Sequence, residues 1–327
     1  QIERRGPVKT IASAGRHKSV SANSREKTVW QRLWSQKELQ VMVLPGILIL
    51  IVFKFFPIYG LLLAFKELIP VEGVWGSPWV GLKHFEELFG SVQFHRILMN
   101  TVAISLLKLI FTFPPPILFA LLLNELRRQK FRSFVQGISY LPHFVSWVIV
   151  GGVMTSILAK DGGALNSLLI SIGLISEPVF YLGTPNLFWP LLIVSENWKE
   201  MGWSAIIFMA AITGIDPEMY EASKIDGASR LQQMWYITLP SIMVTIVILF
   251  ILRIGYILDA GFDQILVLRN PLVYDVANIL DTYVLDVGLK FGRFSFATAA
   301  GLFKSVIGFV LVLTANRIAR RYNMGIW

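Results

Sequence analysis

The chain has 327 residues, 54% of them hydrophobic and 16% charged, with a mean hydropathy of +0.60. That balance excludes an ordinary soluble domain and points to a membrane protein. There is no cysteine, which rules out disulfides, thiol nucleophiles and Cys-based metal sites. The net charge of +9 has to be read against a membrane before it is read as a nucleic-acid signal.

Residues 1–40 are polar and basic, with Arg4, Arg5, Lys9, Arg16, Lys18, Arg25, Lys27, Arg32 and Lys37. They are expected to form a cytoplasmic tail that holds the amino end inside, or a solvated tail with no role beyond topology. A first residue other than methionine is expected of a trimmed chain. No signal peptide is evident, because the first long apolar run starts near Val41 and is too long for an h-region. Trp30 and Trp34, spaced i, i+4 within 29–39, suit a short interfacial helix.

A bilayer-spanning helix needs about 20 apolar residues. Six segments meet that length: 41–65, 97–123, 138–158, 188–213, 241–258 and 296–315. Together 41–327 form one all-α integral membrane domain with both termini inside. The orientation follows from basic residues in the connecting segments. The tail, 124–137, 216–240 and the carboxyl end hold eighteen Lys and Arg. The outer segments 66–96, 159–187 and 259–295 hold far fewer, Lys83, Arg96, Lys160, Arg269, Lys290 and Arg293 among them. The net charge is thus mainly a topology signal, with membrane lipid as the surrounding partner and no nucleic acid. The outer segments carry Trp75, Trp79, Tyr181, Tyr274 and Tyr283, suited either to meeting a soluble binding protein or to interfacial anchoring.

The second span contains Pro114, Pro115 and Pro116, which must break or kink a helix. Broken backbone is costly against lipid, so the kink is expected to face protein or a cavity.

Between the fourth and fifth spans lies 216–240, DPEMYEASKIDGASRLQQMWYITLP, too charged for lipid. Asp216 can cap a helix that begins at Pro217, and Gly227 can end it. Ser229 and Gln232 have capping-box spacing for a second helix running to Pro240. Met219, Tyr220 and Ile225 fit an apolar stripe on the first helix, a form suited to a partner's groove. Glu221-Ala222-Ser223, three residues, Gly227, nine residues and Ile237-Thr238-Leu239-Pro240 resemble the EAA motif of type I ABC importer permeases. Asp226 and Ala228 beside Gly227 also fit, and Ser223 stands where alanine is commonest.

The resemblance implies that this loop is the coupling helix, with Glu221, Ala222, Ser223, Asp226, Gly227 and Ala228 docking on an ATPase. It implies a second permease, different from this one, to complete the pore, two ATPase subunits that bind ATP and Mg, and an extracytoplasmic solute-binding protein. It implies residence in the cell's inner (cytoplasmic) membrane. The likeness is greatest to carbohydrate importers of the maltose and larger-oligosaccharide type and covers about residue 100 to the end.

No GxxxxGK[ST], HExxH or GxSxG occurs, and His17, His84, His95 and His143 are scattered. No catalytic residue, metal site or cofactor of its own is therefore expected in this chain. Polar groups inside spans are informative because hydrocarbon penalises them. One cluster is Glu196, Asn197, Trp198, Lys199 and Glu200, with Trp203. The other is Arg253, Tyr256 and Asp259, whose i, i+3 spacing places them near one helical face. Two readings stand. In the first, Glu196, Asn197, Trp198, Trp203, Arg253, Tyr256 and Asp259 line a sugar path, rings stacking on sugar faces and polar groups meeting hydroxyls; the spacing of Glu196 and Arg253 from the loop matches sugar-contacting positions in the maltose permease. In the second, Arg253 pairs with Glu196 or Glu200 to join two spans. Lys54, Lys108 and Lys304 are expected to snorkel to the interface. Arginine in the path suits a substrate carboxylate, as in an alginate-type oligosaccharide, and also sugar hydroxyls, so acidic and neutral cargo both stay open. The alternatives are an ABC importer for another solute, an ATPase-independent channel or carrier, and a membrane enzyme.

Overall fold

The computed structural model describes residues 36–326. The basic tail and the Trp30/Trp34 segment lie outside the described residues. Among the described residues every regular element is helical, and a single antiparallel bridge joins Lys66 and Trp79. The described residues divide into two units, 36–58 and 59–326. Within the first, α1 (Lys37–Leu50) continues as a π turn through Ile51–Phe55.

The second unit is built from α2 (Val92–Thr112), α3 (Pro114–Asn124), α4 (Gln129–Tyr140), α5 (Trp147–Ile157), α6 (Pro185–Thr213), α7 (Pro217–Ile225), α8 (Met243–Gly255) and α9 (Phe294–Arg320), joined by shorter helical turns. Lys37–Phe65, Val92–Asn124 and Phe294–Arg320 are long and apolar enough to cross a membrane. Two bent pairs pass the same test if each counts as one span: Gln129–Phe144 with Trp147–Ile157, bent by 97°, and Arg230–Ser241 with Met243–Gly255, bent by 59°. The uninterrupted helix expected over 138–158 is therefore broken. Pro142 opens a 3-10 turn over Leu141–Phe144, and Ser146 restarts the chain as the N-cap of α5, accepting from Ile149 N. Proline lacks the donor that would have carried the helix through.

The proline run has a different outcome. Phe113 keeps helical angles (φ −79, ψ −44), and Pro114 and Pro115 open α3, where missing donors cost least. The carbonyl of Phe111 is the one a residue at 115 would have bonded. Asn197 Nδ2 on α6 donates to it instead, at 2.9 Å. Pro116 is buried and borders a cavity, as the cost of broken backbone requires.

Buried apolar groups form three clusters. One joins Ile104, Leu158, Phe188, Leu192, Ile265 and Ile279. A second joins Ile117, Leu121, Ala205, Phe208, Ile212 and Ile242. A third gathers Leu88, Phe94, Ile97, Tyr283 and Phe296. Along α6 the first cluster ends at Leu192 and the second begins at Ala205. Between them α6 turns Glu196, Lys199 and Gly202 inward. A charged layer thus separates two apolar cores. Gly202 is needed there, because a Cβ at this position would overlap the Ser139 backbone of α4.

Candidate functional site

The charged layer centres on Glu196, 8% exposed. Arg253 Nη2 on α8 donates to its Oε1 at 2.6 Å. Lys108 Nζ on α2 lies 2.6 Å from its Oε2. Lys108 is 3% exposed and donates to Gln264 Oε1 at 2.5 Å. Gln264 in turn donates to Leu192 O and Ser195 Oγ, both at 2.8 Å. Gly261 leaves space for the ammonium, since a Cβ there would overlap Lys108 Nζ, and its φ of +84 suits glycine. Two cations therefore share one carboxylate. The Arg253 side chain is 46% exposed and also reaches Thr112 Oγ1 at 3.5 Å.

Lys108 was not legible as a member of this group, and the expectation that it snorkels is corrected. It lies at the middle of the 33-residue Val92–Asn124 span, too far from either end for its stem to reach water, so burial forces it onto a carboxylate. Lys304 is corrected likewise: it is held by Asp259 and by both oxygens of Asp281, at 2.7 Å. That takes Asp259 out of the expected Arg253 face. The reason is local, because α8 ends at Gly255, Tyr256 has φ −104, Ile257–Asp259 form a 3-10 turn, and Ala260 and Gly261 follow with positive φ.

Two cavities flank the ion pair. One, of about 260 Å³, is bordered by Pro116, Asn197, Trp203 and Phe208 together with Glu196 and Arg253. The other, of about 170 Å³, is bordered by Ser105, Lys108, Tyr256 and Asp259, again with Glu196 and Arg253. Six of the seven expected path residues thus border one cavity or the other, and Trp198, exposed, borders neither. Trp203 stacks on His143 with centroids 4.4 Å apart, and His143 Nδ1 lies 2.7 Å from Glu200 Oε2. Lys199 Nζ donates to His143 O at 2.7 Å, tying α6 to the turn between α4 and α5.

The 216–240 loop is ordered by its own side chains. Asp216 accepts from Glu218 N at 2.9 Å, Gly227 has φ +78, and Ser229 and Gln232 form a reciprocal capping box. Ser223 Oγ accepts from Gln233 Nε2 at 2.8 Å, a bond alanine could not make, and Tyr220 meets Thr238 through their hydroxyls at 2.9 Å. Tyr220 is accordingly half-buried, which removes it from the expected stripe, while Met219, Glu221, Ala222 and Ile225 remain exposed.

Residues 113–324 match the family model described as the binding-protein-dependent transport system inner membrane component. The chain belongs to that family. This transport component is 47% identical over 304 residues to the polygalacturonan/rhamnogalacturonan transport system permease protein YteP of Bacillus subtilis (strain 168), spanning 93% of this chain and 94% of that protein. It is 43% identical over 287 residues to protein LplB of the same organism, spanning 88% and 90%. Among solved structures it resembles a chain of a bacterial ABC transporter involved in the import of the acidic polysaccharide alginate, with TM-score 0.83, 41% identity and coverage of 90% and 99%. A structure of bacterial alginate ABC transporter with an alginate pentasaccharide-bound periplasmic protein gives TM-score 0.83 at 40% identity, covering 91% and 99%. The permease is thus a membrane transport subunit of the type I ABC fold.

Proposed function

We propose that this permease forms half of the pore of an importer for acidic oligosaccharides, and that Glu196 and Arg253 stand in the substrate path. The observation that carries this is the half-exposed Arg253 guanidinium bordering two cavities at a layer where two cations share one carboxylate. A planar cation in that position suits a sugar carboxylate through paired hydrogen bonds. The acidic cargo named for the alginate transporter and the polygalacturonan cargo named for YteP support the same class.

In this reading α6 is a span despite Glu196, Lys199 and Glu200, because each has a partner within the protein. Its 29 residues measure about 43 Å, enough for a bilayer. With the two bent pairs and the three long helices, six spans result and both termini are cytoplasmic. The domain is 41–327, with 1–40 as a tail. Glu221, Ala222, Ser223, Asp226, Gly227 and Ala228 dock on one of two ATPase subunits, which supply ATP and Mg. A second permease completes the pore, and a solute-binding protein delivers cargo. Closure of the ATPases moves α7 and swings the spans between inward- and outward-open states.

Reconstituted transporter carrying Arg253→Ala should lose uptake of a uronic-acid trisaccharide by about tenfold more than uptake of its carboxyl-reduced counterpart, matching the loss of one charge-assisted pair. Equal losses for both would make Arg253 a structural clamp on Glu196 and defeat the path assignment.

A further inference from the structure

The two cavities share Glu196 and Arg253 and no other bordering residue. Ser105 borders one and Thr112 the other, seven residues apart on α2 and so about 10 Å along its axis. The cavities are therefore stacked, and the ion pair is the partition between them. Resting on the path assignment above, we propose that the Glu196–Arg253 pair is a gate and that Lys108 is the positioning residue that allows it to open: an incoming carboxylate takes Arg253 while Glu196 stays on Lys108.

The two cations are held differently, and the difference decides which one moves. Lys108 is buried and backed by Gln264, which is fixed by Leu192 O and Ser195 Oγ. Arg253 is half-exposed, sits in the last turn of α8, and precedes a stretch from Tyr256 to Gly261 that leaves helical geometry. Arg253 is the arm and Lys108 the post. Breaking a buried ion pair by removing one partner is ordinarily costly because it strands a charge. Here Glu196 keeps Lys108 when Arg253 swings away, so nothing is stranded. The substrate carboxylate replaces Glu196 on Arg253, and each anion retains one cation throughout. Asp259 does not intrude on this exchange, being held by Lys304. Ser105 Oγ, buried beside the smaller cavity without a hydrogen-bond partner, is placed to meet a hydroxyl of the arriving sugar. That cavity, about 170 Å³, is the smaller of the two.

The test is uptake of the uronic-acid trisaccharide by proteoliposomes holding the complete transporter and its binding protein. Lys108→Met should slow uptake at least about tenfold, because Arg253 can no longer leave without isolating Glu196. Adding Glu196→Gln should restore uptake to within about threefold of Glu196→Gln alone, the non-additivity expected of residues acting as one unit. Gln264→Leu, which removes the rear anchor of Lys108, should show a smaller loss relieved by the same second change, and it serves where Lys108→Met fails to assemble with the ATPases. Wild-type uptake in Lys108→Met, or losses that multiply in the double variant, would overturn the gate. A gate that fails while Arg253→Gln still discriminates against the uronate leaves the path assignment standing. If Arg253→Gln slows acidic and neutral cargo alike, the path assignment itself falls.

Discussion

Gly202→Ala offers a sharp test of how the charged layer is positioned. In an open helix the change would stabilise by about 1 kcal/mol, since alanine is the better helix former. At Gly202 the added Cβ would fall 2.7 Å from Ser139 Cβ and closer still to the Ser139 carbonyl. Two of those contacts are backbone atoms, which cannot rotate aside. Overpacking of this kind costs about 1–3 kcal/mol, and rigid neighbours favour the upper end. The net expectation is a loss of about 1–2 kcal/mol, opposite in sign to the propensity argument. Forcing α6 from α4 would also disturb Lys199 on His143 O and the Trp203–His143 stack. The assay is the thermal midpoint of the detergent-solubilised transporter followed by tryptophan fluorescence. A midpoint equal to or above wild type would refute the close-approach reasoning. Rescue by Ser139→Gly would show that the clash is with a side chain rather than the backbone.

Two further outcomes are expected. Asp286 is pushed up by burial, but hydrogen bonds from Arg269 and Lys290 outweigh that and hold its carboxyl below the ordinary range. A depressed carboxylate stabilises above its unfolded pKa, about 4, and loses that contribution as pH falls through the lower folded value. The thermal midpoint of wild type should therefore exceed that of Asp286→Asn at pH 7, and the gap should shrink as pH drops below about 4; a constant gap would count against the linkage. Glu221→Lys should insert normally yet recover fewer ATPase subunits on co-purification, since Glu221 is exposed on α7; undiminished recovery with full transport would remove the loop from the coupling interface.

The elements that were legible in the sequence are those fixed by near neighbours. Asp216, Gly227, Ser229 and Gln232 do what their spacing dictates because caps and left-handed turns are settled within a few residues. The Glu196–Arg253 pairing is legible as one of two readings, because an acid and a base on adjoining spans seek each other. Lys108 escaped because its partners, Glu196 and Gln264, are remote in sequence. The cue was its depth in an apolar helix, where a long stem cannot reach water. The shared face for Arg253, Tyr256 and Asp259 assumed a helix that stops at Gly255. Pro142 is the cue for the break over 138–158, since a missing donor interrupts even a strongly apolar run.

The bond from Asn197 to the carbonyl of Phe111 ties the identities of two distant positions together. Asn197 supplies the donor that Pro115 withholds. If Pro115 became alanine, its N–H could reclaim Phe111 O and leave the Asn197 amide beside the larger cavity with Ile193 O as its acceptor. If Asn197 became leucine with Pro115 in place, the carbonyl would be left bare within the wall. Each change alone is a fault, while the two together return Phe111 O to the helix, with Ile110 O and Thr112 O still lacking the donors that Pro114 and Pro116 withhold. Positions 115 and 197 are therefore coupled, and this part of the cavity wall can shed its side-chain stitch without an unmet carbonyl only when both change together.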